Sequence, residues 1–366
     1  MSFKVTLDNG MYGTIDHDTY DIVLSTVFGA SSGLIACLLY GKTLTNLKNY
    51  FFPKTNNKLI NYSKVPKYKL LEEYMDNLSE DELPSDLGER MKLYETFTEY
   101  NVNDIDSKTG FVIRVDGRTF SNILKQLKQQ EIEELNTPFI SDFVEAMQLT
   151  TRDLVKEFNA STGYTHSDEI SLYFKPLNTE NDEEQYMKEH IFGGRVHKLI
   201  SLISSYATSR LIKNLTEVNH EKFDSILERI SFDARAIIFP STYEVCNYFL
   251  WLSKKDCYRN FVSELCHCHF PKKSLDKLNV DERIVKLQNE KKININDYNI
   301  FLRRGTFVKR QLEHYKENET NFWRNVYVKF TLPNLKCSNN YNELIECKNF
   351  EEWEFTDIEY EKLNNF

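Results

Sequence analysis

The chain has 366 residues, 41% of them hydrophobic, enough to bury a good core in one large or two modest domains. Its formal net charge is −9, which excludes a global positive field, so any contact with nucleic acid must come from local basic clusters. Seven cysteines in no even framework argue against a disulfide scaffold and for reduced thiols in a cytoplasmic compartment.

Residues 1–84 read as an N-terminal accessory region closed by a linker. Within it, Ile22 to Tyr40 carries no charge over nearly the ~20 residues that a bilayer span requires, with Asp16, Asp18 and Asp21 before it and Lys42 and Lys48 after it. A membrane anchor fits that charge bias. A buried α/β module fits the Gly29-Ala30-Ser31-Ser32-Gly33 break in its middle. Phe52 to Lys69, with Pro53, Pro66 and many Lys and Asn, reads as the linker.

The main domain is expected over residues 85–310. Ser85 is a good N-cap for a helix from Leu87 to Tyr100. Phe111, Val112, Ile113 and Val115 then form a buried strand that runs into Asp116-Gly117, which places a carboxylate where a sheet opens to solvent. Gly117 allows close approach of a ligand, and Arg118, Thr119 and Ser121 offer donors at the start of a helical segment, Phe120 to Gln130, whose N-terminus favours an anion. Ser141 to Phe158 is a helix with Phe143, Met147, Leu154 and Phe158 as its core stripe. Tyr164 to Phe174, YTHSDEISLYF, is a hairpin with Ser167-Asp168 at the turn and Glu169 opening its second strand.

Strand, helix and hairpin are half of a βαββαβ sheet, a topology that sets Asp116 and Asp168 side by side. Such a pair repels unless it shares a proton or a cation. Mg²⁺ is the usual cation, held by one or two carboxylates plus phosphate oxygens, and two such ions beside a nucleoside triphosphate perform nucleotidyl transfer.

Further along, Asn178 to Gln185 is a polar surface excursion, Gly193 to Lys213 a second long helix, and Phe232 to Phe239 the fourth strand. Tyr243 to Leu265 is helical and carries Lys254, Lys255, Asp256, Arg259 and Asn260. Cys266-His267-Cys268-His269 has the ligand types of a zinc site, but positions i and i+2 of a helix point to different faces, so it reads as packing, as does Cys257. Lys286 to Arg310 reads as an exposed polar loop and a basic strand, where Arg303, Arg304, Lys309 and Arg310 form the best local cluster for an RNA backbone. Residues 311–366 make a C-terminal extension with a strand-like run, Trp323 to Leu332, and an acidic tail, Glu351 to Phe366.

In order and spacing, DGRTF (Asp116 to Phe120), THSDEISLYF, FDARAIIFPS (Phe232 to Ser241), DCYRN (Asp256 to Asn260) and LRRGT (Leu302 to Thr306) resemble the tRNA(His) guanylyltransferases. The likeness is strongest to the shorter guanylyltransferase-like 3′-to-5′ polymerases that repair tRNA 5′ ends. SDLGERMKLYE (Ser85 to Glu95) and GGRVHKLISLISSYATSRL (Gly193 to Leu211) are similar to that second group, and the match covers Ser85 to Arg310.

The resemblance implies an α+β fold, a ferredoxin-like polymerase palm of four antiparallel strands with helices on one face. It implies two Mg²⁺ ions on Asp116, Asp168 and the Gly117 carbonyl, with Glu169 as ligand or support. GTP and ATP would be substrates, and the triphosphate would be cradled by Arg118, Thr119, Phe120, Ser121 and Ser167, with Arg195 and Lys198 nearby at a helix start. Lys254, Lys255, Arg259, Asn260, Arg303 and Arg304 would face tRNA, and the resembling enzymes are commonly tetramers. Three departures bear on how the RNA 5′ end is activated. The family's Trp-Arg-Gln run is Trp251-Leu252-Ser253, its usual His is Tyr258, and a basic residue before proline is Thr137 before Pro138. A palm-type nucleotidyl cyclase and a non-catalytic RNA-binding relative remain open alternatives.

Overall fold

The computed structural model describes residues 3–6, 12–15, 25–26, 35–36, 87–177, 189–317, 320–331, 345, 349–350 and 360–363. The chain divides into two units, Met1–Val65 and Pro66–Phe366. In the first, Phe3–Thr6 pairs antiparallel with Tyr12–Ile15, and Ser25–Thr26 with Ile35–Ala36. That second pair falls inside Ile22 to Tyr40. The rest of that segment lies outside the described residues, as do the expected linker, Ser85, the Asn178 to Gln185 excursion and most of the acidic tail. No helix among the described residues is long and apolar enough to cross a membrane.

The second unit opens with α1 (Leu87–Asn101), β1 (Phe111–Gly117), α2 (Phe120–Ile123), α3 (Lys125–Leu135) and α4 (Ser141–Phe158). The hairpin β2 (Thr162–His166) and β3 (Glu169–Phe174) follows, then α5 (Val196–Phe223) and β4 (Phe232–Ile238). Beyond them come α6 (Thr242–Trp251), α7 (Tyr258–His269), α8 (Val280–Lys286), α9 (Ile300–Arg304), β5 (Thr306–Glu317), β6 (Thr320–Phe330) and β7 (Tyr360–Leu363). The strands form one antiparallel sheet in the order β7-β6-β5-β2-β3-β1-β4. Its β2-β3-β1-β4 part, with α4 and α5 as crossovers, is the ferredoxin-like βαββαβ arrangement.

Alternation along the strands decides which side chains meet the helices. Phe111, Ile113 and Val115 of β1 and Ile170, Leu172 and Phe174 of β3 share one core with Phe143, Met147 and Leu154 of α4 and Leu199 and Ile203 of α5. Asn159 in the left-handed conformation (φ 53°) stops α4 just before β2, a role asparagine fills at low steric cost. The opposite face has a second, aromatic layer. There Phe249 of α6 lies 6.2 Å from the Tyr164 ring and 6.5 Å from Tyr173, and Phe307 of β5 lies 4.7 Å from Tyr164.

The structure corrects two expected helix boundaries. The second long helix continues past Lys213 to Phe223. The helix expected from Tyr243 to Leu265 holds a π-helical turn, Leu252–Cys257, between α6 and α7. Strand β5 crosses the expected edge of the main domain at residue 310, because its pairing with β2 and β6 makes it part of the sheet.

Candidate active site

The register places four side chains in one row across the end of the sheet. Asp116 of β1 stands opposite Asp233 of β4 on one side and Glu169 of β3 on the other, and Glu169 stands opposite His166 of β2. Directly paired residues hold their side chains about 5 Å apart, so carboxylates so placed repel unless compensated. Two residue pairs further in, on the same face, Arg114 stands opposite Arg235. Arg114 bonds Glu95 at 3.0 Å and Glu169 still more closely, while Arg235 Nη2 reaches Asp116 at 3.8 Å and Asp233 at 3.9 Å.

Asp168 lies in the β2–β3 turn, where Ser167 adopts φ 52° and its hydroxyl donates to Asp168 Oδ1 at 3.0 Å. The Asp168 carbonyl accepts the Gly117 amide at 3.1 Å, which ties the two acidic loops together. Burial raises the Asp116 carboxyl to about 6, with Glu169 and Asp168 adding to the rise. Burial also raises the Asp168 carboxyl. Two carboxylates held above their ordinary range beside a backbone carbonyl are a donor set that suits a divalent cation. Because the folded-state pKa of Asp116 is raised, ionising it destabilises the metal-free fold progressively as pH rises from about 4 to about 6. Asp116→Asn should therefore melt about 3 °C above wild type at pH 8 in EDTA and level with it at pH 4, by scanning calorimetry. Added Mg²⁺ should raise the melting point of the wild type and leave that of the variant.

A cavity of about 330 Å³ opens beside this row, between α4 and α7. Gly117, Ser121, Ser167 and Asp168 line its acidic end, Asn260 its α7 wall, and Phe139, Phe143 and Phe261 give it an apolar side. Gly117 is needed for packing too: a Cβ there would sit 2.5 Å from the Phe120 ring. Phe120 is itself core, between Phe143 and Phe232, so it offers only backbone to a ligand. The Gly117 and Arg118 amides are already used, by the carbonyls of Asp168 and Ser231.

At the β2 end of the row, His166 is a site residue that the sequence did not single out. Its Nε2 is 3.5 Å from Glu169 Oε2 and 3.4 Å from Asp256 Oδ2. Burial pushes the imidazole down, but Glu169 and Asp256 outweigh it and raise its pKa. The π-turn aims Asp256 inward, while Arg259, largely exposed, caps it from outside at 2.5 Å. The same three residues are the grouping among those described that could hold an ion by themselves. The departures also find structural partners. Leu252 and Ser253 are buried, with the Ser253 hydroxyl donating to the Arg304 carbonyl at 2.7 Å, and the Tyr258 ring lies 4.5 Å from the Arg304 guanidinium.

Several expected site residues are not brought here. Arg195 and Lys198 sit at the start of α5, where Ile105 bonds Gly194 and Val196 bonds Asn103. Both contacts are to the segment that precedes β1, the strand whose other end carries Asp116. Lys309 is wholly buried, donating to the Ser161 carbonyl at 2.8 Å and the Ile345 carbonyl at 3.3 Å, so it leaves the expected basic cluster. Lys254 is also buried, Lys255 is exposed, and Arg303 donates to Tyr298 and Asn296. Cys257 is buried, and burial pushes its thiol up to about 12, as packing requires. Cys266 is buried and donates weakly to the Arg283 carbonyl.

A ferredoxin-like sheet that sets acidic side chains at one strand end, over a cavity with a polar mouth and an apolar side, is a nucleotidyltransferase palm. Residues 88–240 match the sequence profile described as Thg1, tRNAHis guanylyltransferase. An uncharacterized protein of Acanthamoeba polyphaga mimivirus is 32% identical over 240 residues, 62% of this chain and 77% of that protein. Among solved structures, a bacterial tRNA(His) guanylyltransferase (Thg1)-like protein in complex with ATP is 29% identical, with 65% of this chain and 90% of that chain covered and a TM-score of 0.47. The tRNA(His) guanylyltransferase of Saccharomyces cerevisiae is 18% identical, with 62% and 93% covered and a TM-score of 0.43. The chain belongs to the tRNAHis guanylyltransferase family and is a nucleotidyltransferase.

Proposed function

We propose that this chain adds GTP-derived nucleotides to the 5′ end of tRNA, in the 3′-to-5′ direction, as in tRNA 5′-end repair. The observation that carries the reading is the acidic pair, Asp116 and Asp168, on either side of the Gly117–Asp168 backbone bond, with Gly117 and Asp168 lining a cavity large enough for a nucleotide. Asp116, Asp168 and the Gly117 carbonyl would hold two Mg²⁺ ions, which supply charge neutralisation at the triphosphate and a lowered pKa for a bound hydroxyl. Glu169, committed to Arg114 and His166, supports Asp116 from the neighbouring strand. Thr119, Phe120 and Ser121 backbone and the Ser121 and Ser167 hydroxyls would orient the phosphates, and Phe139, Phe143 and Phe261 exclude water from the cavity's apolar side.

The RNA 5′ end must be electrophilic. Either its monophosphate attacks ATP, forming a 5′-adenylylated end and releasing pyrophosphate, or it carries a triphosphate already. The 3′-hydroxyl of GTP then attacks the 5′ phosphorus, losing its proton to a base or solvent, while AMP or pyrophosphate leaves with the bonding pair. In this reading residues 85–310 carry the chemistry, the enzyme works in the cytoplasm, and a tetramer is its assembly.

The test is incorporation of labelled GTP into tRNA bearing a 5′-monophosphate or a 5′-triphosphate, with and without ATP. Addition to the triphosphate without ATP and to the monophosphate only with ATP is the expected result. No addition to either, with cyclic GMP formed instead, would overturn it.

A further inference from the structure

Away from the nucleotide cavity, a concave surface of about 420 Å³ lies where α4, α5 and β5 meet. Five cations line it, Arg152 and Lys156 of α4, Arg210 and Lys213 of α5, and Arg310 of β5, against two carboxylates, Asp153 and Glu217. In a chain with net charge −9 that local excess is not a background property. Nor are the guanidiniums loosely placed. Buried Asp153 accepts Arg152 Nη2 at 2.9 Å on one oxygen and Arg210 Nε at 2.7 Å on the other, while Asn214 Nδ2 holds that second oxygen at 3.2 Å. Asp153 thus orients two arginines beside the concavity, and Arg310 is fixed by Asn349 at 2.8 Å. Lys156 and Lys213 rim it and are exposed.

The same face continues along the β5–β6 hairpin. Paired residues share a face, so Arg310 and Tyr327, then Leu312 and Asn325, then His314 and Trp323 follow one another outward. Asn325 and Tyr327 line the basic concavity, and Trp323, 66% exposed, ends the run with the His314 ring 5.0 Å from its own. From Tyr327 to Trp323 is about 13 Å along a strand, the span of a few nucleotides. Cations followed on one face by an exposed aromatic platform is the chemistry that grips a phosphodiester track and stacks an unpaired base.

We propose that this face is an RNA-binding track, with Arg152, Lys156, Arg210, Lys213 and Arg310 on the backbone phosphates and Trp323 with His314 stacking one base. It rests on the reading that RNA is the substrate, and it locates contacts away from the reacting end. Cavity and track use opposite halves of α4, Phe143 to Gln148 and Arg152 to Asn159, whose centres are roughly 15 Å apart. The track therefore holds the body of the RNA while its 5′ end reacts.

The test is binding of a tRNA transcript by fluorescence anisotropy across a salt series, for full-length wild type, the pair Lys156→Glu with Lys213→Glu, and Trp323→Ala. Both lysines and Trp323 are exposed and outside the catalytic machinery, so melting temperature and GTP affinity should hold. For the charge pair, affinity should fall at least about tenfold at low salt and the slope of log affinity on log salt should flatten by about 1.5 to 2. Trp323→Ala should lose roughly tenfold with the slope kept. Variants that bind tRNA with wild-type affinity and slope would overturn the track while leaving the guanylyltransferase reading intact. A change in self-association with tRNA binding kept would also overturn it, assigning the face to a second copy of the chain. Wild type failing to bind tRNA at all would remove the underlying reading as well.

Discussion

Asp116→Ala and Asp168→Ala should each abolish nucleotide transfer, by about a thousandfold or more, and leave the fold intact. The separation of activity from stability is the informative part. In an ordinary structural ion pair, removing one partner strands the other and costs several kcal/mol. Here Asp116 is half-buried beside Glu169, Asp168 and Asp233, with Arg235 reaching it from 3.8 Å, and its pKa is raised first by burial and then by the neighbouring carboxylates. Deleting a carboxylate from such a group relieves the metal-free protein. What is lost is the cation site. Single-turnover transfer of labelled GTP, read beside a melting curve, checks both halves; transfer within tenfold of wild type would sink the two-metal assignment.

Gly305→Ala should destabilise the protein by about 3 kcal/mol or more, lowering the melting point by about 5–10 °C. Gly305 joins α9 to β5 at φ 75°, ψ 179°, a region open to glycine alone. A Cβ there would collide with the Tyr164 hydroxyl, which donates to the neighbouring Arg304 carbonyl at 2.9 Å. That carbonyl also accepts Ser253 from the π-turn, so the substitution pushes apart β2, β5 and the turn that carries Asp256. Gly193→Ala is the control. Its φ is 64°, but the nearest atom to an added Cβ is the Glu189 carboxylate at 3.6 Å, so only strain of about 1 kcal/mol is expected. Calorimetric melting of the two variants side by side measures the difference.

Much of this was legible in the chain because it rests on local periodicity. Alternation through Phe111 to Val115 and Ile170 to Phe174, with the α4 stripe between, specifies strand, helix and hairpin, and the Asp-Gly and Ser-Asp turns fix where the carboxylates emerge. The position of Arg195 and Lys198 was not legible in this way. Their place beside the segment before β1 depends on the connection from Phe174 to Val196, which local periodicity does not fix. His166 had a weaker signal, a titratable residue two before Asp168 and paired across from Glu169 once the hairpin register is drawn. The rest depends on contacts distant in sequence. Nothing local to Lys309 announces that the Ser161 and Ile345 carbonyls will receive it, and the π-turn at Leu252–Cys257 shows only when Asp256 is seen beneath the row. The Asp153 hub between Arg152 and Arg210 needs α4 and α5 packed side by side before it exists.

The central claim is growth of an RNA at its 5′ end. The most direct test supplies GTP labelled at the α-phosphorus, Mg²⁺ and 5′-triphosphorylated tRNA lacking its first nucleotide, then maps the label with nucleases that release 5′- and 3′-terminal nucleotides separately. The account predicts label in the 5′-terminal phosphate group of the added guanosine, absent with Asp168→Ala and absent in EDTA. Label at the 3′ end, or unlabelled RNA beside cyclised GTP, would contradict it.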